Sequence, residues 1–258
     1  MVDHRHTASM LASRGADLSA ARSTEERACL VHELVLRGTP GRPLGDHPLA
    51  WLPLTRSELE EHVDLPEYDD DGHARFTRPR GRQCGWTVIA GAQIPAARET
   101  ACLDHTTAAV DGWTKGSNGT IEARGFEFDE PVPAELLPNV LLGLKLQCTD
   151  GEKKTFWVAE ATPAEVWREL FAASSLGGAC NAGTYGAYGR LAAWRSLAGL
   201  VGLENAEAAD VEARVNEWHW YRFDPETCWF EGVDWDLAVI ALSPDRTRLT
   251  VLAATDTD

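Results

Sequence analysis

Apolar residues recur at helical spacing near the start of the chain, and at strand spacing through its middle and its end. Between those two β-rich stretches the helical spacing returns. Ser23 with Glu26 three residues later forms a helix-start signature, and Leu30, Val31, Leu34 and Val35 carry the apolar face onward to a stop at Gly38 and Pro40. Trp86 to Ile94 is apolar and β-branched, which predicts a buried strand closed by Pro95. Ile121, Ala123, Phe126 and Phe128 predict a second strand, with Gly125 as a bulge. Ala134 to Leu137 reads as a short helical piece between prolines. Residues 140–149 and 153–161 flank Asp150-Gly151 and predict a hairpin, with Phe156 and Val158 on one face and Trp157 and Ala159 on the other.

Thr162-Pro163-Ala164-Glu165 combines a cap, a proline at the first helical position and a glutamate three residues after the cap. It predicts a helix over 163–174 with Val166, Trp167, Leu170 and Phe171 inward. Leu191, Trp194, Leu197, Ala198 and Val201 predict another over 188–201, stopped by Gly202. An acidic helix over 206–216 follows. Trp218 to Phe223 alternates as a strand, and 235–242 with 249–254 reads as a closing hairpin. The pattern therefore predicts an α+β fold: a mostly antiparallel sheet with helices packed on one face and a helical, loop-rich N-terminal arm. Residues 1–22 are rich in Ala, Ser and Arg with little large apolar content, and read as partly mobile. The proline-rich stretch 38–53 marks a seam, with an arm over 1–53 and a main domain over 54–258.

The 258 residues suffice for a sizeable core. Acids outnumber bases 40 to 24, a net charge of −16. Such a surface repels phosphate backbones and acidic membranes, so neither nucleic acid nor membrane is an expected partner. It suits solubility, or a basic protein partner. Acids crowd residues 58–71, and Arg75, Arg78, Arg80 and Arg82 follow; solvated faces explain this contrast better than a calcium loop at Asp69 to Asp71. Six cysteines, at 29, 84, 102, 148, 180 and 228, never form C-x-x-C, and no secretory leader or eighteen-residue apolar run is present. A cytoplasmic protein with reduced thiols is expected.

Candidate chemistry concentrates at 177–190, where small residues surround two tyrosines and an arginine. In one reading, glycines form a loop before a helix starting near Gly186, and free N–H groups face an anion beside Arg190. In the other, Gly183, Gly186 and Gly189 let a neighbouring backbone approach closely. Packing or a turn is the preferred reading. If a ligand binds there, Asn181, Tyr185, Tyr188 and Arg190 are its contacts. No dinucleotide or P-loop fingerprint is present. Cys29 with His32, and Cys102 with His105, have spacings that zinc can use. Cys102-Leu103-Asp104-His105 also resembles a thiol nucleophile beside its base. Buried structural thiols are preferred for both, so no metal and no cofactor is expected. The aromatic run from Trp218 to Trp235 is assigned to the core rather than to a pocket.

The segment Tyr188-Gly189-Arg190-Leu191-Ala192-Ala193-Trp194-Arg195-Ser196-Leu197, with the ending Leu252 to Asp258, resembles an uncharacterised protein family of high-GC filamentous bacteria. That resemblance implies a bacterial cytoplasmic protein and no activity. The functional expectation is a binding module for a protein partner or small ligand, an inhibitor or immunity-type protein being its specific form. The alternative is an enzyme with a pocket at the glycine-rich stretch. The oligomeric state is left open.

Overall fold

The computed structural model describes residues 3–61, 65, 67–68, 74–75, 85–150, 156–224, 227–230 and 235–257. Its elements, in chain order, are α1 (His4–Ser13), α2 (Thr24–Leu36), β1 (Glu67–Tyr68), β2 (Ala74–Arg75), β3 (Trp86–Thr87), β4 (Ala97–Thr100) and β5 (Thr120–Phe128). Then follow α3 (Leu137–Gly143), β6 (Trp157–Ala161), α4 (Pro163–Leu176), α5 (Tyr185–Leu200), α6 (Ala208–Glu217), β7 (His219–Asp224), β8 (Asp236–Leu242) and β9 (Arg248–Thr255). Strands β3 to β9 form one antiparallel sheet in the order β3-β6-β7-β8-β9-β5-β4, and β1 pairs with β2 separately. The α+β expectation holds.

Alternation along the central strands divides the core in two. Trp220, Leu237, Val239, Ala241, Leu252 and Ala254 face the helical layer of α1, α2, α4, α5 and α6. Tyr221, Phe223, Ile240, Leu242, Leu249 and Val251 face the opposite way, against α3 and the aromatic pair Trp229 and Phe230. Both faces of β8 and β9 are therefore apolar, which is why these strands read as continuous hydrophobic runs. The second face is covered mainly by short pieces, whereas the long helices share the first. Leu191, Trp194 and Leu197 of α5 are buried in the same cluster as Trp220 and Leu252, so the sheet's late ribbons and α5 form one packed layer.

Local signals account for the helix ends. Ser23 accepts a hydrogen bond from Glu26 N at 3.1 Å at the start of α2. Thr162 and Glu165 form a reciprocal capping box on α4. Gly202 adopts φ +73°, and Leu203 N donates back to Ala198 O at 2.8 Å to close α5.

Several expectations fail here. Residues 4–13 form α1, whose Ala8 and Ala12 are buried against α2 and α5 with Leu11 packed on the same cluster; small side chains let three helices meet closely. The stretch 86–94 is no buried strand: only Trp86 and Thr87 pair, and Val88, Ile89 and Ile94 are 44%, 45% and 37% exposed. The 140–161 hairpin does not form. Residues 137–143 are helical, so Val140 and Leu141 reach the core at helical spacing, and only the returning strand β6 is present; Gly151 and residues 152–155 lie outside the described residues. Gly125 pairs in unbroken register with Thr250 and Thr100 rather than forming a bulge. A Cβ there would lie 2.8 Å from Thr100 Oγ1. The carboxylates at 69–71, the arginines at 78–82 and Cys84 lie outside the described residues.

The helical core continues across position 53: α1 and α2 are buried with α4, α5 and Leu59 in one cluster. Helices α4 and α5 cross closely within that layer. A Cβ on Gly189 would lie 2.8 Å from Ser175 Cβ and 3.0 Å from its Cα. Gly189→Val should cost about 1–3 kcal/mol in urea unfolding, while Gly112→Ala, with open space around it, should stay within about 0.5 kcal/mol of wild type. Equal stability of the two variants would show that α4 and α5 do not depend on this approach.

Candidate functional site

Helix α5 begins at Tyr185, a non-glycine residue at φ +61°, so the chain enters the helix through a left-handed turn. Gly183 lies before it, and Gly186 and Gly189 lie within its first turns. The structure thus combines the two glycine readings: the helix starts where a ligand loop requires, yet the glycines serve close approach. A Cβ on Gly183 would lie 2.0 Å from Ser175 O, and one on Gly186 would lie 2.4 Å from Glu33 Oε1.

Negative charge is already present along this segment, and it comes from the chain itself. The fully buried Asp256 accepts from Ala179 N at 2.8 Å and from Ser117 Oγ. Its carboxylate sits where a Cβ on Gly178 would be. Glu33, buried on α2, faces the N-terminal end of α5 at Gly186 and pairs with Arg37 at 2.8 Å. Burial pushes the Glu33 carboxyl above its ordinary range, with Arg37 opposing.

Glu60 is the third. It ends a 3-10 turn over Glu58–Glu60 and is fully buried beside Arg190. Its Oε1 accepts from Arg190 Nε at 2.6 Å and from Trp194 Nε1 at 2.7 Å. Its Oε2 accepts from Arg190 Nη2 at 2.8 Å and from Ser57 N at 3.0 Å. Arg190 directs its other donors to His32 Nδ1 at 2.7 Å, Pro53 O at 2.9 Å and Thr55 O at 3.2 Å. Every guanidinium N–H therefore has an acceptor, and every lone-pair site of the carboxylate has a donor. Because Arg190 donates to Nδ1, His32 is the neutral tautomer with its proton on Nε2. Burial and the adjacent guanidinium push its pKa from 6.5 down to about 3.

The other proposed contacts have separate neighbours. Tyr185 is buried and stacks on His6 of α1, ring centroids 5.3 Å apart. Tyr188 donates to Glu25 Oε1 at 2.8 Å, and Glu25 Oε2 lies 3.1 Å from His47 Nε2. His47 Nδ1 in turn accepts from Leu49 N at 3.2 Å. Asn181 is half-buried in the turn between Gly177 and Gly183. Tyr185 and Tyr188 share the face of α5 toward α1 and α2, while Arg190 turns toward residues 53–60. Sequence reasoning did not single out Glu60, Glu33 or Asp256. The spacing Ser57 to Glu60 is a capping-box signature and was a usable signal for Glu60.

The Cys-x-x-His pairs are also engaged locally. Cys29 lies 3.6 Å from Glu25 Oε1, and burial pushes its thiol upward. His105 Nε2 lies 3.0 Å from Leu203 O, away from any thiolate partnership. Among the described residues no group of three or more His, Cys, Asp or Glu side chains is placed to hold a metal ion.

A second feature lies on the other side of the sheet. A hollow of about 390 Å³ opens between β4, β5 and the end of α3, lined by Ile94, Ala97, Phe126, Phe128, Leu144 and Arg124 among others. Arg124 lies over the Phe126 ring at 5.1 Å and forks onto Glu99 at 2.8 and 2.6 Å. The exposed Val88 and Ile89 precede this hollow along loop 88–96, which is pinned to α3 by two hydrogen bonds between Asn139 and the Ile89 backbone at 3.0 and 2.8 Å. The chain belongs to the family of unknown function DUF6183. The match covers residues 1–258. No curated protein and no solved structure matches the chain. For this DUF6183 member the site must therefore be argued from its own geometry.

Two outcomes test the buried network. Arg190→Met strands Glu60 in the core and should cost about 3–5 kcal/mol in chemical unfolding, whereas Arg190→Met with Glu60→Leu should lose clearly less. His32 gives a pH signature. Its folded pKa lies below the unfolded one, so its contribution is complete above pH 6.5 and falls as pH drops from 6.5 toward 3. The slope should reach about 1.4 kcal/mol per pH unit. Glu33, shifted the other way, loses its contribution as pH rises. The stability difference between wild type and His32→Gln, measured from pH 7 to pH 4, should therefore isolate the His32 slope; a flat difference would place His32 outside the network.

Proposed function

We propose that the protein is a binding module that docks a basic protein partner through loop 88–96 and the hollow beside β4. The supporting observation is the exposed apolar set Val88, Ile89 and Ile94, whose loop is fastened at Ile89 by Asn139 and runs into a hollow of mixed lining, with Phe126, Phe128 and Leu144 beside Glu99 and Arg124. Exposed aliphatics that run into a cavity mark interaction sites more often than scattered ones do. Among carboxylates, Glu99 lines the hollow, and Glu127, Asp129 and Glu130 follow along and just beyond β5. With a net charge of −16, electrostatic steering favours a positively charged partner. An inhibitor that neutralises such a partner is the specific form of this reading.

The buried polar network supports a binding role over a catalytic one at the glycine-rich stretch. Arg190 and Glu60 are spent on one another, His32 is fully buried with its Nδ1 held by Arg190, and catalysis needs a group that reaches substrate. Among the described residues no helix is long and apolar enough to cross a membrane. The reading takes the protein to be bacterial and cytoplasmic, in line with the resemblance and the scattered cysteines.

The test is crosslinking in native cells followed by mass spectrometry, comparing wild type with the Ile89→Asp/Ile94→Asp variant. A basic protein captured by wild type should fall about tenfold or more in the variant, with its urea midpoint unchanged. Capture that survives this change but disappears in Tyr188→Phe or Asn181→Ala would move the site to the glycine-rich segment. The absence of any enriched protein would overturn the binding reading.

A further inference from the structure

Resting on that reading, we propose that the outer edge of β4 receives an extended segment of the basic partner by antiparallel strand addition. In that segment a basic residue comes first, opposite Glu99. An apolar residue two positions later, opposite Ala97, fills the hollow.

The ladder supplies the first part of the argument. Strand β4 ends the seven-stranded sheet, and among the described residues no strand lies outside it. Asp129 N donates to Ala96 O at 3.2 Å, so Ala96 belongs to an inward-bonded pair. Phe128 N donates to Thr247 O on the other side, which fixes Ala97 opposite Phe128 as a pair without mutual hydrogen bonds. Alternation then makes Arg98 and Thr100 inward-bonded, and turns the N–H and C=O of Ala97 and Glu99 outward. These are the groups an added strand would use.

The same register decides which face the new side chains share. Ala97 and Glu99 stand opposite Phe128 and Phe126, on the side of the hollow. Residues of an added strand opposite Ala97 and Glu99 would point the same way. Ala97 is small and leaves the hollow open, so the residue facing it has room for a large apolar side chain. The Glu99 side chain is 54% exposed and can accept from a second cation besides Arg124. In an antiparallel segment the residue facing Glu99 precedes the one facing Ala97 by two, which gives the order basic-x-apolar.

Charge distinguishes this occupant from a second copy of the chain. Pairing two β4 strands about their centre through the outward groups of 97 and 99 allows two registers. One sets Arg98 against Arg98, the other Glu99 against Glu99, and like charges directly opposite are unfavourable; an off-centre register with Ala97 against Ala97 places Glu99 opposite Pro95, which has no N–H to donate. Around the edge, Glu127 is paired with Arg98 and Glu99 with Arg124, Asp129 and Glu130 are exposed beside them, and the net charge of −16 makes a cationic segment the favoured one.

Synthetic capped peptides provide the probe. The peptide acetyl-Thr-Lys-Thr-Phe-Thr-Lys-amide should bind and shift backbone amide resonances of 96–100 and 124–128. Exchanging the first lysine with the phenylalanine, or N-methylating the phenylalanine amide, should weaken binding about tenfold or more. N-methylating the threonine before it, whose N–H faces away, should not. On the protein side Ala97→Pro removes an outward N–H and no bond to β5, so it should abolish binding with the fold retained; Glu99→Lys should weaken it while leaving phenylalanine-dependent binding detectable. Binding indifferent to Ala97→Pro and to N-methylation, or no binding at millimolar peptide, would overturn strand addition. A dimer in sedimentation that Ala97→Pro dissolves would overturn it in favour of a second copy. Partner capture in cells that depends on Ile89 and Ile94 but not on Ala97 would defeat strand addition alone and leave the binding reading standing.

Discussion

The five N–H donors of Arg190 meet acceptors drawn from two other segments of the chain, and the rest of the helical layer depends on that convergence. Two are the oxygens of Glu60, one is His32 Nδ1, and two are the carbonyls of Pro53 and Thr55. Together with Trp194 Nε1 they tie α2, the irregular segment 53–60 and α5 at one point. A buried ion pair is costly to desolvate and is tolerated only when every donor and acceptor is matched. Here every donor of Arg190 and every acceptor site of Glu60 is matched, while the buried His32 Nε2 has no hydrogen-bond partner among the described residues; the Arg190–Glu60 pair fixes one arrangement of these segments more strongly than apolar packing alone would. Trp51 adds an edge-on contact to Trp194, and its own Nε1 reaches Ala206 O, extending the tie to the approach of α6.

The glycine-rich stretch follows the same logic. A run of small residues ahead of a helix exposes N–H groups and the positive end of a dipole, which together attract an anion. In this fold the chain's own carboxyl groups take those places: Asp256 at Ala179 N and Glu33 at Gly186, with Glu60 farther along α5 on Arg190 and Trp194. Asp256 is instructive: it follows the last strand, donates its own N–H to Trp235 O, and holds Ala179 N with its carboxylate. The end of the sheet thus secures the loop that delivers α5. The glycines at 178 and 186 are needed because a side chain would collide with these carboxylates, and those at 183 and 189 because it would collide with Ser175. Backbone approach and charge satisfaction are one constraint at this place.

With the helical side sealed in this way, the features open to a partner lie across the sheet. Loop 88–96 exposes aliphatic side chains that a soluble surface gains nothing from displaying, yet it is fastened by Asn139 and by Ile94 over Gly143. Preorganised apolar surface loses little conformational entropy on binding. The edge strand beside it is short and carries charges, devices that discourage indiscriminate pairing. The register of β4 leaves the backbone groups of Ala97 and Glu99 turned outward.

Local signals carried much of the fold. The caps at Ser23 and Thr162, the proline at 163, the glycine at 202, the alternation of β7 and the apolar runs of β8 and β9 were all legible, because each depends on residues within one turn or one strand. The strand expected over 86–94 and the hairpin over 140–161 were misread for a common reason: short apolar runs have no period long enough to distinguish strand from helix or from an exposed loop. Helix α1 escaped notice because alanines bury well only when neighbouring helices come close, and that closeness is tertiary. The candidate site was partly legible. Tyr188, Arg190 and the glycines were visible as an unusual composition, but Glu60 lay in an acidic run that reads as solvated, and His32 and Asp256 had no local mark. By itself the sequence determined the class of fold, most helix boundaries, the acidity and the place where small residues gather. Only the tertiary structure decided which carboxylates lie buried, what Arg190 grasps and which strand is left at the edge, because those depend on contacts between segments up to 158 positions apart, which no local period records.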